Sequence, residues 1–155
     1  YPRVDTTYLS NDIYPKIPTI LKGITPYAEL TEPLLQAPIK KSKKVFDDKK
    51  VTDHHAIIPT GVNPNNLYGD EKTVFDLVAR RFIAVFYPDC KIFTTNVLGH
   101  VDTVQFKTSG KRIVHPGWRV VIPGALKSDG DEQVLPDFQH GESGPHEPVL
   151  QEKKT

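Results

Sequence analysis

Apolar residues along this chain change their period at Pro88. Before it the spacing is helical. Ile13, Ile17, Ile20 and Leu21 recur at three- and four-residue intervals behind Ser10, Asn11 and Asp12, which favour a helix start. Pro15 suits a first turn, whereas Pro18 demands a kink or a later start. Gly23 suits a C-terminal cap, and Thr25 followed by Pro26 opens a second short helix toward Leu35. Over 36–53 the period is lost, and Pro38 with the surrounding lysines predicts an exposed loop. Ala56, Ile57 and Ile58 form a short apolar run stopped by Pro59, and 61–69 is a loop rich in Asn, Pro and Gly. The strongest helix is predicted over 71–87, capped by Asp70. Val74, Leu77, Val78, Phe82, Val85 and Phe86 make its buried face. Arg80 and Arg81 fall in its second half, where positive charge complements the helix dipole.

Beyond Pro88 the period is two. Strands are predicted over 92–101, 104–108 and 112–115, the last two flanking a hairpin turn at Thr108-Ser109-Gly110-Lys111. Another strand is predicted over 118–122, closed by Pro123 and Gly124. A turn over 125–131 and further strands over 133–138 and 147–152 complete the pattern, and no internal repeat occurs. The fold class is α+β, with a helix-rich part to residue 88 and an antiparallel β-rich part after it.

Composition narrows this further. A compact chain of 155 residues buries roughly 70% of its unfolded surface. Hydrophobic residues at 37% and charged residues at 25% mark a globular rather than a disordered chain, with 14 Pro and 10 Gly to break it into short elements. The net charge of +1 neither demands nor excludes a polyanionic partner, because charge is segregated. Lys40, Lys41, Lys43, Lys44, Lys49 and Lys50 crowd one stretch, while 129–152 is acidic, with Asp and Glu but no Lys or Arg. Such a run is either a solvated loop or a phosphate-facing patch. Cys90 stands alone, which rules out an internal disulfide and fits a reducing cytosol and a small buried apolar role. The chain has no signal peptide and no apolar run long enough to span a membrane. It contains no Met and opens on Tyr-Pro-Arg, so it is expected to be an excised internal piece of a longer protein.

Two segments carry chemistry. In Tyr1-Pro2-Arg3-Val4-Asp5-Thr6, alternation along an extended backbone puts Tyr1, Arg3 and Asp5 on one face. A phenol, a guanidinium and a carboxylate together suit phosphoryl transfer. A free phenol has a pKa of about 10, and a guanidinium stabilises both phenolate and phosphate. The bland reading is a strand start with a packed Tyr and a surface Arg–Asp pair. In Asp53-His54-His55-Ala56-Ile57-Ile58-Pro59-Thr60, adjacent histidines point to opposite sides and make a poor chelating pair. A single Cys elsewhere completes no zinc pattern, so no metal ligands are assigned. Each histidine is either a satisfied structural group or a phosphate-facing cation. No Gly-rich phosphate loop, Ser-centred nucleophile elbow or carboxylate cluster is present.

Together the two segments resemble type IA DNA topoisomerases, most closely bacterial topoisomerase III. Tyr1-Pro2-Arg3 with Asp5 and Tyr8-Leu9-Ser10 is similar to the family's active-site tyrosine segment. Thr52 to Thr60 is similar to its second signature, at a fitting distance. The helix bearing Phe75-Asp76-Leu77, Arg80-Arg81-Phe82 and Phe86-Tyr87-Pro88, and then Gly117-Trp118-Arg119, resemble later landmarks. Val4 and Thr6 depart from the residues many members carry there. The resemblance implies that Tyr1 attacks single-stranded DNA and holds its 5′ phosphate. Arg3 steadies the scissile phosphate, and His54 lies near the DNA. Asp5 and His55 are weaker orienting candidates, and Lys40, Lys41, Lys43 and Lys44 are candidate DNA contacts. It implies that 1–88 belongs to the tyrosine-bearing domain and 89–155 to the returning part of the β-rich arch. It also implies that Mg²⁺ is held by an acidic Toprim domain absent from this chain. The full-length enzyme is then expected to be a monomer at the bacterial nucleoid, in the cytoplasm and without a membrane. Two other classes stay open: a non-catalytic module for single-stranded DNA, resting on 40–50 and exposed aromatics, and a structural β domain without DNA affinity.

Overall fold

A computed structural model describes residues 3–126 and 134–145. It is an α+β arrangement of three α-helices and a two-stranded antiparallel sheet, with short 3₁₀ turns between them. The first helical run divides at Ile17. Asn11–Lys16 is a 3₁₀ helix containing Pro15, and α1 spans Ile17–Gly23. Pro18 lies in the first turn of α1, where its missing N–H has no intrahelical partner to lose, so the helix starts late instead of kinking. A 3₁₀ turn, Thr25–Tyr27, leads into α2, Ala28–Leu35.

The longest helix, α3, covers Gly69–Ala84. Asp70 is not its cap. The N-cap is Tyr68, whose side chain makes no cap hydrogen bond, and Asp70 and Glu71 instead place negative charge in the first turn. The helix also ends earlier than its sequence suggests, because Phe86 and Tyr87 already bond to carbonyls three residues back. Its buried face differs from the expected one. Ala79, Phe82, Ile83 and Ala84 enter the core, whereas Val74 and Leu77 are 58% and 65% exposed. A helix that is apolar on two sides is not oriented by its own periodicity. The neighbours choose the side, and here they pack on Ile83.

The core joins Leu9, Ile17, Leu21, Ile24, Phe46, Ile83 and Val121 with smaller neighbours. Val45 and Phe46 come from the stretch expected to be an exposed loop, and both are buried. Their lysine neighbours stay at the surface while these two residues anchor the segment beneath. Leu9 and Phe46 form an isolated parallel bridge. Leu9 N–H donates to the Val45 carbonyl at 2.8 Å, and Asp47 N–H donates to the Leu9 carbonyl at 3.1 Å. Ala56 N–H donates to the Tyr8 carbonyl at 2.9 Å. Three segments distant in sequence are thereby held side by side.

After Pro88 the chain forms one long ribbon, β1 (Lys91–Val101) and β2 (Val104–His115). Thr108-Ser109-Gly110-Lys111 is not a turn. It lies inside β2, pairing with 94–97 of β1, and Gly110 is buried. The reversal occurs at Asp102, in the left-handed region at φ 52°, which Asp tolerates better than most residues. A two-residue reversal keeps the whole ladder in register, and that outweighs local turn chemistry at 108–111. The strand expected over 118–122 is a 3₁₀ helix, Gly117–Val121, and 134–138 has no regular structure. Residue 133 and the expected strand over 147–152 lie outside the described residues.

The ribbon is pinned at its base. Trp118 N–H donates to the Pro88 carbonyl at 2.9 Å. Arg80 grips both carboxylate oxygens of Asp76 through Nε and the Val121 carbonyl through Nη1. Tyr27 donates to the same Asp76 at 2.9 Å. Burial, with the Asp76 carboxylate next, pushes the Tyr27 phenol up to about 12, so it stays a protonated donor.

Candidate functional site

The two signature segments meet through one carboxylate. Residues 3–8 do not continue as a strand, so alternation along a strand is not what organises them. Arg3 and Asp5 nevertheless pair, with Nε donating to Oδ1 at 2.9 Å. The second oxygen of Asp5 lies 2.8 Å from Nδ1 of His54, which is 49 residues away in the chain. The backbone links of Tyr8 and Leu9 to 45–47 and 56 bring these loops into register. Asp5 is the covered member, at 19% side-chain exposure, while Arg3 and His54 keep 57% and 46%. The cluster lies at the surface, with the Asp5 carboxylate shared between the two nitrogen-bearing side chains.

His54 and Arg3 lower the Asp5 carboxyl below its usual value, His54 most strongly, against an opposing push from burial. The folded pKa is depressed, so the pairing contributes stability at pH above the ordinary carboxylate value of 3.8, where both states are ionised. That contribution is lost as pH falls through the depressed folded value. Asp5→Asn should therefore destabilise the chain at neutral pH, with the gap from the parent closing on acidification. Urea unfolding of both proteins across that range checks this, and a gap constant down to the most acid point would contradict it.

The other expected site residues are dispersed. Tyr1 lies outside the described residues. His55 does not join the cluster, and its Nδ1 lies 2.6 Å from the Ala56 carbonyl. Lys44 pairs with Asp89 at 3.2 Å, and the Lys41 ammonium sits 5.3 Å above the Tyr14 ring. Lys40 and Lys43 are exposed. Lys50, noted in the sequence only as part of the lysine stretch, donates to the Tyr8 hydroxyl at 2.8 Å, which raises the lysine's pKa. Its signal was present in the lysine stretch, but only the fold aims it at Tyr8. A groove of about 440 Å³ lies beside the cluster, lined by Val4, Thr6, Ile57, Leu77 and Arg81 among others.

Among the described residues, no three His, Cys, Asp or Glu side chains converge as a group of metal ligands. Among the same residues, no helix is long and apolar enough to cross a membrane.

The family model described as DNA topoisomerase matches residues 1–155. The chain belongs to this family. It is 38% identical over 152 residues to DNA topoisomerase 3 of Bacillus thuringiensis (strain Al Hakam). It is 36% identical over 151 residues to DNA topoisomerase 3 of Bacillus subtilis (strain 168). In both cases the match covers 92% of this chain and 21% of the relative. The chain thus spans about a fifth of the length of these topoisomerases. The Arg3–Asp5–His54 cluster lies within the matched family region.

Proposed function

We propose that this chain is the tyrosine-bearing part of a type IA DNA topoisomerase, which cuts and reseals one DNA strand through a 5′-phosphotyrosine. Residues 1–88 belong to its catalytic domain and 89–155 to the returning part of its arch. The observation that carries this reading is Asp5, which gathers Arg3 and His54 from two separate signature segments into one cluster.

The chemistry follows from the atoms that remain available. Tyr1 Oη attacks the phosphorus, a Tyr O–P bond forms, and the bond from phosphorus to the 3′ oxygen breaks. The phenolic proton leaves the attacking oxygen and the departing 3′ oxygen acquires one, so the exchange is balanced. The phenolate is a good leaving group, so the 3′ hydroxyl can return and reseal without an external energy source. Arg3 spends Nε on Asp5, which leaves both terminal nitrogens of the fork for phosphate oxygens. His54 directs Nδ1 at Asp5, which leaves Nε2 for a proton or a phosphate. Asp5 orients both groups, as a carboxylate behind a histidine does in hydrolase triads. Lys40, Lys41, Lys43 and Lys44 supply sequence-independent attraction to the strand, with Lys44 shared with Asp89. The partner is single-stranded DNA, and the complete enzyme is a monomer at the bacterial nucleoid in the cytoplasm.

The decisive experiment incubates the full-length enzyme with end-labelled single-stranded DNA and resolves the products under denaturing conditions. A covalent protein–DNA adduct is expected, and binding without an adduct would favour a non-catalytic module. The 155-residue chain by itself should not relax supercoiled DNA when Mg²⁺ is present, because it spans about a fifth of the length of its relatives and the acidic Mg²⁺-binding domain implied by the resemblance is not part of it. Robust relaxation by this chain alone, read as a shift of topoisomers on an agarose gel, would contradict that expectation.

A further inference from the structure

The β1–β2 ribbon sorts its side chains by face. Cross-strand partners share a face, and the register puts Phe93, Val97, Val101, Val104 and Phe106 together on one. The opposite face carries Lys107, Lys111 and His100, with Asn96, Ser109 and Gln105 between them and Ile92, Leu98 and Ile113 as its apolar members. Val134, Leu135 and Asp137 line a small hollow together with Phe93, Thr95, Gly110 and Arg112 of the apolar face and with Lys111 at its edge. The polar face is open, with every one of its six polar side chains just named exposed.

The charge on that open face has one sign. No Asp or Glu occurs among its residues. Residues 91–115 hold four basic side chains against the single acid Asp102, a net +3 with His neutral, in a chain whose total is +1. Neither Lys107 nor Lys111 is ion-paired among the described residues. Four residues apart on one strand, they stand about 13 Å from each other. Leu98 lies across from Lys107, where the apolar stem of the lysine can cover it while the ammonium stays in water.

We propose that this polar face binds the phosphate backbone of duplex DNA, in addition to the strand engaged near Arg3 and His54. Lys107 and Lys111 make the ionic contacts, and Asn96 and Ser109 supply hydrogen bonds. A two-stranded ribbon has the dimensions to enter a major groove. Binding of single strands depends on aromatic platforms for stacked bases, and here both ribbon aromatics, Phe93 and Phe106, are on the other face. The proposal rests on the reading of DNA as substrate, but its test does not require strand cleavage.

Fluorescence anisotropy of a labelled duplex, titrated with the 155-residue chain over a series of salt concentrations, reads the contact. In Lys107→Gln/Lys111→Gln the slope of log K against log salt should become shallower by about 1.8, at about 0.9 per lost phosphate contact. Arg112→Gln removes the same charge one residue further on, from the opposite face, and should leave the slope unchanged. The double variant should unfold at the same temperature as the parent, because both lysines are exposed. No measurable duplex binding by the parent, an unchanged slope in the double variant, or an equal effect of Arg112→Gln would each overturn the proposal. Equal dependence on these lysines for a single strand of the same sequence would overturn the assignment to duplex. Adduct formation by the full-length enzyme reports strand cleavage separately, so failure of that reading and failure of this one are distinguishable.

Discussion

Tyr1→Phe in the full-length enzyme should abolish covalent capture of DNA while leaving DNA binding intact. Phenylalanine keeps the ring but lacks the one atom that can bond to phosphorus, so the loss is complete rather than graded. Arg3→Lys should come next in severity. It keeps the charge, but an ammonium cannot bond to Asp5 along one edge and present two further donors to phosphate along another, as the planar guanidinium can. His54→Ala should slow cleavage by about 100-fold, the usual size of a positioned proton-transfer group, and it also frees one oxygen of Asp5. A time course of adduct formation on labelled oligonucleotide, quantified for all three variants, reports the order. Adduct persisting in Tyr1→Phe would remove the nucleophile assignment. Parent-like rates in the other two would leave Tyr1 standing and remove the roles given to Arg3 and His54.

Gly23→Ala should be the most destabilising single methyl addition in the helical part. A Cβ at Gly23 would lie 1.7 Å from the carbonyl oxygen of Gly61 and 2.5 Å from its carbonyl carbon. Both are backbone atoms, so no side chain can swing aside, and the loop must lift from the end of α1. It has little room to do so. Gly61 is itself left-handed at φ 85°, and a Cβ there would already stand 3.1 Å from the Ile20 backbone. Overpacking of this kind costs about 3 kcal/mol, the upper end of its usual range, which for a chain of this length is a fall in Tm of roughly 6–12 °C. Thermal unfolding against the parent is the measurement, and a midpoint within a degree of it would show that the approach is not tight in solution. The Gly61 loop follows the segment that carries His54, so DNA cleavage should weaken along with stability.

The sequence by itself determined what depends on local spacing. The change of period at Pro88 separates helices from strands because a buried stripe recurs every 3.6 residues in one and every second residue in the other. Thr25-Pro26 opening the next turn was legible from backbone chemistry alone, whereas Gly23 is the last residue of α1 and the cap expected there falls on Ile24. The ordered motifs at 1–10 and 52–60 pointed to the family without any knowledge of their contacts.

Tertiary structure decided the rest, wherever two local choices were nearly equal. Thr108-Ser109-Gly110-Lys111 and the neighbourhood of Asp102 both offer a reversal, and the one that keeps 92–101 fully paired prevails. Val45 and Phe46 sit in a lysine-rich stretch with no period, and they are buried because Leu9 bonds beside them. The faces of α3 were ambiguous until Leu21, Phe46 and Val121 supplied a core on one side. Asp5 is the clearest case. Its spacing from Arg3 is written in the chain, but its partner His54 lies 49 residues on. A contact at that separation comes from the packing of intervening segments, and no local pattern encodes it.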